Sequence, residues 1–279
     1  MSLLDYLGHQ VLGVAAAYAS STNQSGVARD NSVYIGIVDI HADDCLTLYS
    51  PSGHGLQQGD RITLHLDNRT GVSEYDAELQ VYRLSYKGQV AQCIDKQRVR
   101  LMPREFQVMY GISVVYEYRQ PGYRFPQDLR SASALPETPM TEVPAIDHSE
   151  HDNKIGVLIT AAEEQPHTTV MAFLSSVEDD IFFITFPQTF KSQLMKRNNN
   201  CFFAIDSRAT FTFEEAVEWN YSIIQGKVYD IPRSHPAFSL IQELFIAKNP
   251  WEMAFFSNPE VEMFHLKPEH VICPGPRPK

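Results

Sequence analysis

One stretch constrains this chain more than any other. Ile181 to Ile205 reads as a strand, a proline stop, a short capped helix, an asparagine stop and a second strand. Ile181 to Phe186 is β-branched and aromatic, the composition of a strand with buried faces. Pro187 ends it, because proline has no N–H for a sheet ladder. Thr189 stands where a helix needs its cap, and Leu194 and Met195 follow at helical positions. Asn198, Asn199 and Asn200 stop the helix, since asparagine tolerates turn and left-handed backbone. Such a turn sets Thr189 and Lys191 at a helix start. Unpaired N–H groups, a hydroxyl and an ammonium there converge on an anion.

The rest of the chain is read around that element. Ser2 to Tyr18 has apolar residues at helical spacing and a Ser2/Asp5 capping box, which predicts an amino-terminal helix. Ser20 to Asn31 is polar and predicts a loop. From Ser32 to Arg119 short strands follow one another: Val33–Ile40, Cys45–Tyr49, Arg61–Leu66, Tyr75–Tyr86, Gln89–Ile94, Val99–Met102 and Ser113–Tyr118. Lys87-Gly88 is expected to turn one hairpin. The pattern predicts a small antiparallel barrel or sandwich. Prolines 121, 126, 136, 139 and 144 then punctuate a Ser, Glu, Asp and Thr-rich stretch that predicts a linker. The expected domains are therefore 1–120, a linker over 121–153, and 154–279. In the last, Ile155–Ala161, His167–Leu174, Tyr221–Tyr229, Val261–Leu266 and Val271–Cys273 read as strands. His235–Lys248 reads as a helix, and Phe211–Glu218 is ambiguous.

The second domain resembles the FMN-binding split-barrel family, which includes pyridoxamine 5'-phosphate oxidase. The matching positions are Ile184-Thr185, the Thr189-Phe190-Lys191 turn, Met195, Asn198, and the ending Phe264-His-Leu-Lys-Pro-Glu-His-Val271. The resemblance spans roughly 154–274. It implies a mainly β (α+β) chain, an amino-terminal antiparallel β domain followed by a split β-barrel. It also implies FMN as cofactor, a homodimer, and an oxidoreductase acting on a small molecule. Carried over residue by residue, it gives Thr185, Thr189, Lys191, Thr169 and Tyr221 as cofactor-binding positions. The family's arginines are replaced here by Thr169, Phe190, His265 and His270. Neither phenylalanine nor neutral histidine offers the planar guanidinium fork that grips phosphate, so pyridoxamine phosphate oxidation is disfavoured. Two rival readings remain open: a cofactor-free ligand-binding or regulatory protein on the same fold, and a heme-handling relative with an exposed axial histidine.

Composition narrows the partners. A net charge of −11 and a pI near 5.3 argue against nucleic-acid binding, which needs a basic face. No apolar run reaches the ~20 residues of a membrane-spanning helix, and Val11 to Ala19 has no basic residue before it, so a cytoplasmic protein is expected. Cys45, Cys93, Cys201 and Cys273 are too far apart for a metal or redox motif and are expected to be reduced, buried thiols.

Overall fold

A computed structural model describes residues 1–18, 31–69, 81–206 and 221–273. The described residues form two compact units. One draws on Met1–Arg69, Glu78–Asp128 and Ala162–Thr168, the other on Leu129–Ala161 and Thr169–Lys279. Both are mainly β. They make a closed barrel and a half-barrel sheet, the split-barrel architecture expected above. The expected loop from Ser20, the start of the Tyr75 run, Phe211–Glu218 and Trp219 lie outside the described residues.

The first unit begins with α1 (Leu3–Leu7). Seven strands follow: β1 (Gln10–Tyr18), β2 (Asn31–Ala42), β3 (Cys45–Tyr49), β4 (Arg61–Asp67), β5 (Tyr82–Cys93), β6 (Arg98–Tyr110) and β7 (Ser113–Arg119). Their order is β3-β2-β1-β4-β5-β6-β7, and a further β3–β6 ladder closes the first six into a barrel. Closure leaves the first six strands without an open edge. The interior is aliphatic, with Val38, Leu48, Leu64, Leu84, Val99 and Leu101 fully enclosed.

Three expectations change here. The helix over Ser2–Tyr18 is correct only for its first turn, where the Ser2 N–H donates to Asp5 at 2.7 Å. Gly8, at φ 77°, ends it, and 11–17 become a strand buried on both faces. A continuous apolar run fits either period, and here the ladders to β2 and β4 decide. Lys87-Gly88 is not a hairpin turn but lies within β5, opposite a bulge at Arg104 of β6. A side chain at Gly88 would strike the Tyr86 ring and the Met102 carbonyl, at 2.6 Å from the latter. Val99–Met102, expected as a short strand of its own, is part of the longer β6, which runs on to Tyr110 with Pro103 at that same irregularity.

The second unit contains β8 (Ile155–Thr160), β9 (His167–Ala172), β10 (Leu174–Ser175), β11 (Ile181–Thr185), α2 (Phe190–Met195), β12 (Asn200–Asp206), β13 (Tyr221–Ile231), α3 (Phe238–Lys248), α4 (Met253–Phe256) and β14 (Glu262–Ile272). The sheet order is β10-β11-β14-β13-β12-β8-β9. One face buries Phe173, Phe183, Phe203 and Phe264. The other packs Phe182, Ile231 and Met263 under Phe238, Ile241 and Phe245 of α3. The two strands expected near the end are one, since β14 carries Pro268 through a bulge opposite Gly226.

The proline-rich segment expected as a linker is anchored from Leu129 on. Asp230 N–H donates to Pro136 O and Thr138 N–H to Asp230 O, both at 2.9 Å. Leu135, Met140, Val143 and Ile146 pack on the two cores. Such a composition cannot build its own core, but it can lie along a sheet that already has one.

No helix among the described residues is long and apolar enough to cross a membrane. All four cysteines are free, but only Cys201 is buried; Cys93 is exposed, and Cys45 and Cys273 are intermediate. That corrects the expectation of four buried thiols: the run at Cys93 ends β5, where the strand leaves the barrel wall. Burial pushes the Cys201 thiol well above its ordinary value. In the native protein a thiol-disulfide reagent will therefore label Cys93 first and spare Cys201 until denaturant is added. Equal rates at both would contradict this packing.

Candidate functional site

The corner at the end of β11 forms where the sequence places it. Thr185 closes the strand and Thr189 caps α2. The Thr189 hydroxyl donates to Phe186 O at 2.8 Å and accepts from Ser192 N–H at 3.4 Å. Having one proton, it must accept from Thr185 Oγ1, 3.1 Å away. Both threonine hydroxyls are thus engaged inside the turn.

The corner also holds an anion of its own. Thr185 pairs in register with Glu262 of β14. Ser192 Oγ donates to Glu262 Oε2 at 3.0 Å, and Lys196 Nζ to Oε1 at 2.7 Å. The Glu262 carboxylate therefore lies along one side of α2, tying Ser192 in its first turn to the C-cap residue Lys196. Arg197, just past the helix, donates to the Arg130 and Gln193 carbonyls, each at 2.9 Å.

Lys191 faces a second acid. Burial lowers its amine and Glu252 pulls it back up. Burial raises Glu252 to about 7, against Trp251 and Lys191. Thr169 lies on β9 at one end of the sheet order, with its hydroxyl buried and unbonded. Tyr221 opens β13 opposite Asp206 and is buried. The threonine pair is thus the only bonded pair among the five expected positions. β9 and β11 stand five places apart in the strand order. The residues present do not fit a flavin phosphate: the threonine hydroxyls are engaged, the Glu262 carboxylate puts negative charge beside α2, and the guanidinium positions are replaced.

Sequence reasoning named His265 only as a replaced arginine and missed the polar line it builds. His265 of β14 is buried (2%), stacks on Phe182 at 5.1 Å, and is bonded at both nitrogens. Nε2 donates to Asp180 Oδ1 at 2.7 Å, and Nδ1 meets Thr138 Oγ1 at 2.7 Å. Ser176 Oγ donates to the other Asp180 oxygen at 2.9 Å. These residues lie far apart in the chain, so no spacing signals them. The alternation of β14 does place His265 inward, and His270, across the bulge, is exposed.

Lys248, at the end of α3, is a second buried charge. Its Nζ bonds nothing and sits 3.6 Å from the Phe173 ring centroid. Burial lowers it to about 7, with Glu150 and Asp147 opposing and Lys154 assisting. The unfolded chain binds more protons between that value and 10.5. Stability should therefore rise with pH across this interval. Lys248→Met should flatten the rise and add about 1 kcal/mol or more at neutral pH. An unchanged slope in pH-dependent urea melts would contradict it. No group of three metal-ligating side chains occurs among the described residues.

No family model matches this chain, and no curated protein does. Solved structures similar to it include a protein of unknown function from Agrobacterium tumefaciens, 18% identical at a TM-score of 0.37; the match covers 43% of this chain and 50% of that one. The heme storage protein HutZ from Vibrio cholerae is 13% identical at a TM-score of 0.36, covering 43% and 85%. An FAD-binding protein from Mesorhizobium loti is 15% identical at a TM-score of 0.33, covering 43% and 82%. The chain spans half the length of the Agrobacterium protein, and likenesses of this size assign no family.

Proposed function

We propose that this chain is a small-molecule-binding or regulatory protein whose second unit keeps a split-barrel scaffold without its redox cofactor. Glu262 carries the reading: its carboxylate lies against α2, on Ser192 and Lys196, and sets negative charge beside the helix start where a cofactor phosphate would need to be. A visible spectrum of the protein purified from its native cells tests it directly. No flavin or heme band is expected, and a stoichiometric band of either would overturn it.

FMN binding is the second reading, favoured by Lys191, whose amine is drawn out of water beside the same helix start. In it, Lys191 would hold the phosphate, Thr169 and Tyr221 would meet the ring, and two copies would share the flavin. The bound group would supply hydride or electron transfer. A heme-handling role draws less support, because His265 is enclosed and doubly bonded. A cytoplasmic location and a homodimer belong to the proposal; light scattering of the purified protein tests the latter.

A further inference from the structure

A cavity of about 310 Å³ lies in the first unit, lined in part by Arg61, Arg104, Arg124, Gln89, Tyr123 and Gln165. We propose that it binds a phosphate monoester of sugar size. The inference is independent of how the second unit is read.

Charge comes first. The chain is acidic overall, yet this cavity gathers three guanidinium groups and no lining carboxylate. Arg61 is paired with Glu164 beside the cavity. Arg104 is not paired with an acid: Nη1 donates to Gln120 Oε1 at 2.6 Å and Nη2 to Gln89 Oε1 at 2.5 Å. Two neutral amides hold the group in place, leave its charge uncompensated and leave other N–H donors for a ligand. Arg124 is exposed and bonded to no described residue. Planar forks of this kind match the oxygens of a phosphate.

An independent observation points the same way. Lys87 precedes the lining residue Gly88, is 5% exposed, and its Nζ has no hydrogen-bond partner. It lies 5.6 Å from the ring centroid of Phe125, which sits between the lining residues Arg124 and Pro126. A buried ammonium without an acceptor is costly, and an anion beside it would relieve that. Burial lowers Lys87 to about 8, with Glu105 opposing.

Shape and neutral groups set the size. Such a volume is at the small end of ligand pockets, too small for a dinucleotide. Gln165 is buried and fixed by bonds from Nε2 to Ile62 O at 3.0 Å and Thr63 Oγ1 at 3.2 Å. The Tyr123 hydroxyl, raised to about 12 chiefly by burial, stays protonated; it donates to Gln165 Oε1 at 3.4 Å and can accept from a sugar hydroxyl. Gly122 turns the chain at φ 79° beside the lining residues Tyr123 and Arg124.

Calorimetric titration of the full chain with ribose 5-phosphate, inorganic phosphate and citrate tests this. Ribose 5-phosphate should bind one per chain, tighter than inorganic phosphate, and weaken as salt rises. Arg104→Gln and Arg124→Gln should each weaken it about tenfold or more, as loss of a charged hydrogen bond implies. Arg98→Gln, on the same barrel but outside the cavity, should not. If Arg104→Gln fails to fold, Arg124→Gln carries the test, since its side chain supports nothing. No binding, binding indifferent to both variants, or tighter binding of citrate would overturn the assignment.

Discussion

His265→Ala is expected to cost about 3–5 kcal/mol of folding stability, read as a drop in the urea midpoint at neutral pH. The substitution strands a largely enclosed carboxylate, and breaking such a pair by removing one partner is far more damaging than the pair itself is stabilising. It also empties the ring's place on Phe182 and frees the Thr138 hydroxyl. The effect has a pH signature. Burial alone would raise the Asp180 carboxyl, but the bonds from His265 and Ser176, with the His265 and Lys267 charges, outweigh it and leave it lowered. A lowered carboxyl stabilises fully above its unfolded value of 3.8 and loses that contribution as pH falls through the folded value. Wild-type stability should thus fall steeply below about pH 4. The variant, lacking the bond from His265, should fall less. His265→Gln, which keeps a donor, should recover part of the loss. A variant as stable as wild type, with the same acid limb, would show that this line of groups holds nothing.

Gly226→Ala should be nearly as severe, by about 3 kcal/mol or more. A methyl there would overlap the Lys267 carbonyl, with Lys267 C at 2.8 Å and Pro268 Cα at 3.1 Å. These are backbone atoms of β14 at the bulge, and no rotamer change relieves them. The strand would part from its neighbour at the centre of the sheet, so thermal melting should fall by several degrees, with loss of native strand signal. Gly122→Ala meets no atom within 4 Å. It carries only the strain of its positive φ, so it should cost less. Equal effects would mean that strain, and not the collision, sets the loss.

Much of this fold is written locally. Ile181 to Ile205 gives its strand, cap, helix and second strand nearly residue by residue, because each boundary has its own chemical cause in Pro187, Thr189 and the asparagines. Gly226 could be seen inside a strand, though not what it faced. Long-range pairing was not legible: Val11–Ala17 became a strand because β2 and β4 flank it, and Lys87-Gly88 stayed inside β5 because β4 and β6 pair with it on either side. The candidate corner was legible as a turn but not as an occupied one. Glu262 reaches it from 70 positions past Ser192 along the chain, a distance no motif spans. The same separation hid the Asp180–His265–Thr138 line and the arginines of the barrel cavity.

The central claim is that the Glu262 carboxylate beside α2 keeps a cofactor phosphate away from that corner. Flavin fluorescence during titration with FMN tests it, using wild type and Glu262→Gln side by side. Wild type should give no saturable quenching, while Glu262→Gln, with its charge removed, should give weak binding that Lys191→Ala abolishes. Stoichiometric quenching by wild type, lost in Lys191→Ala, would contradict the account and make this chain a flavoprotein.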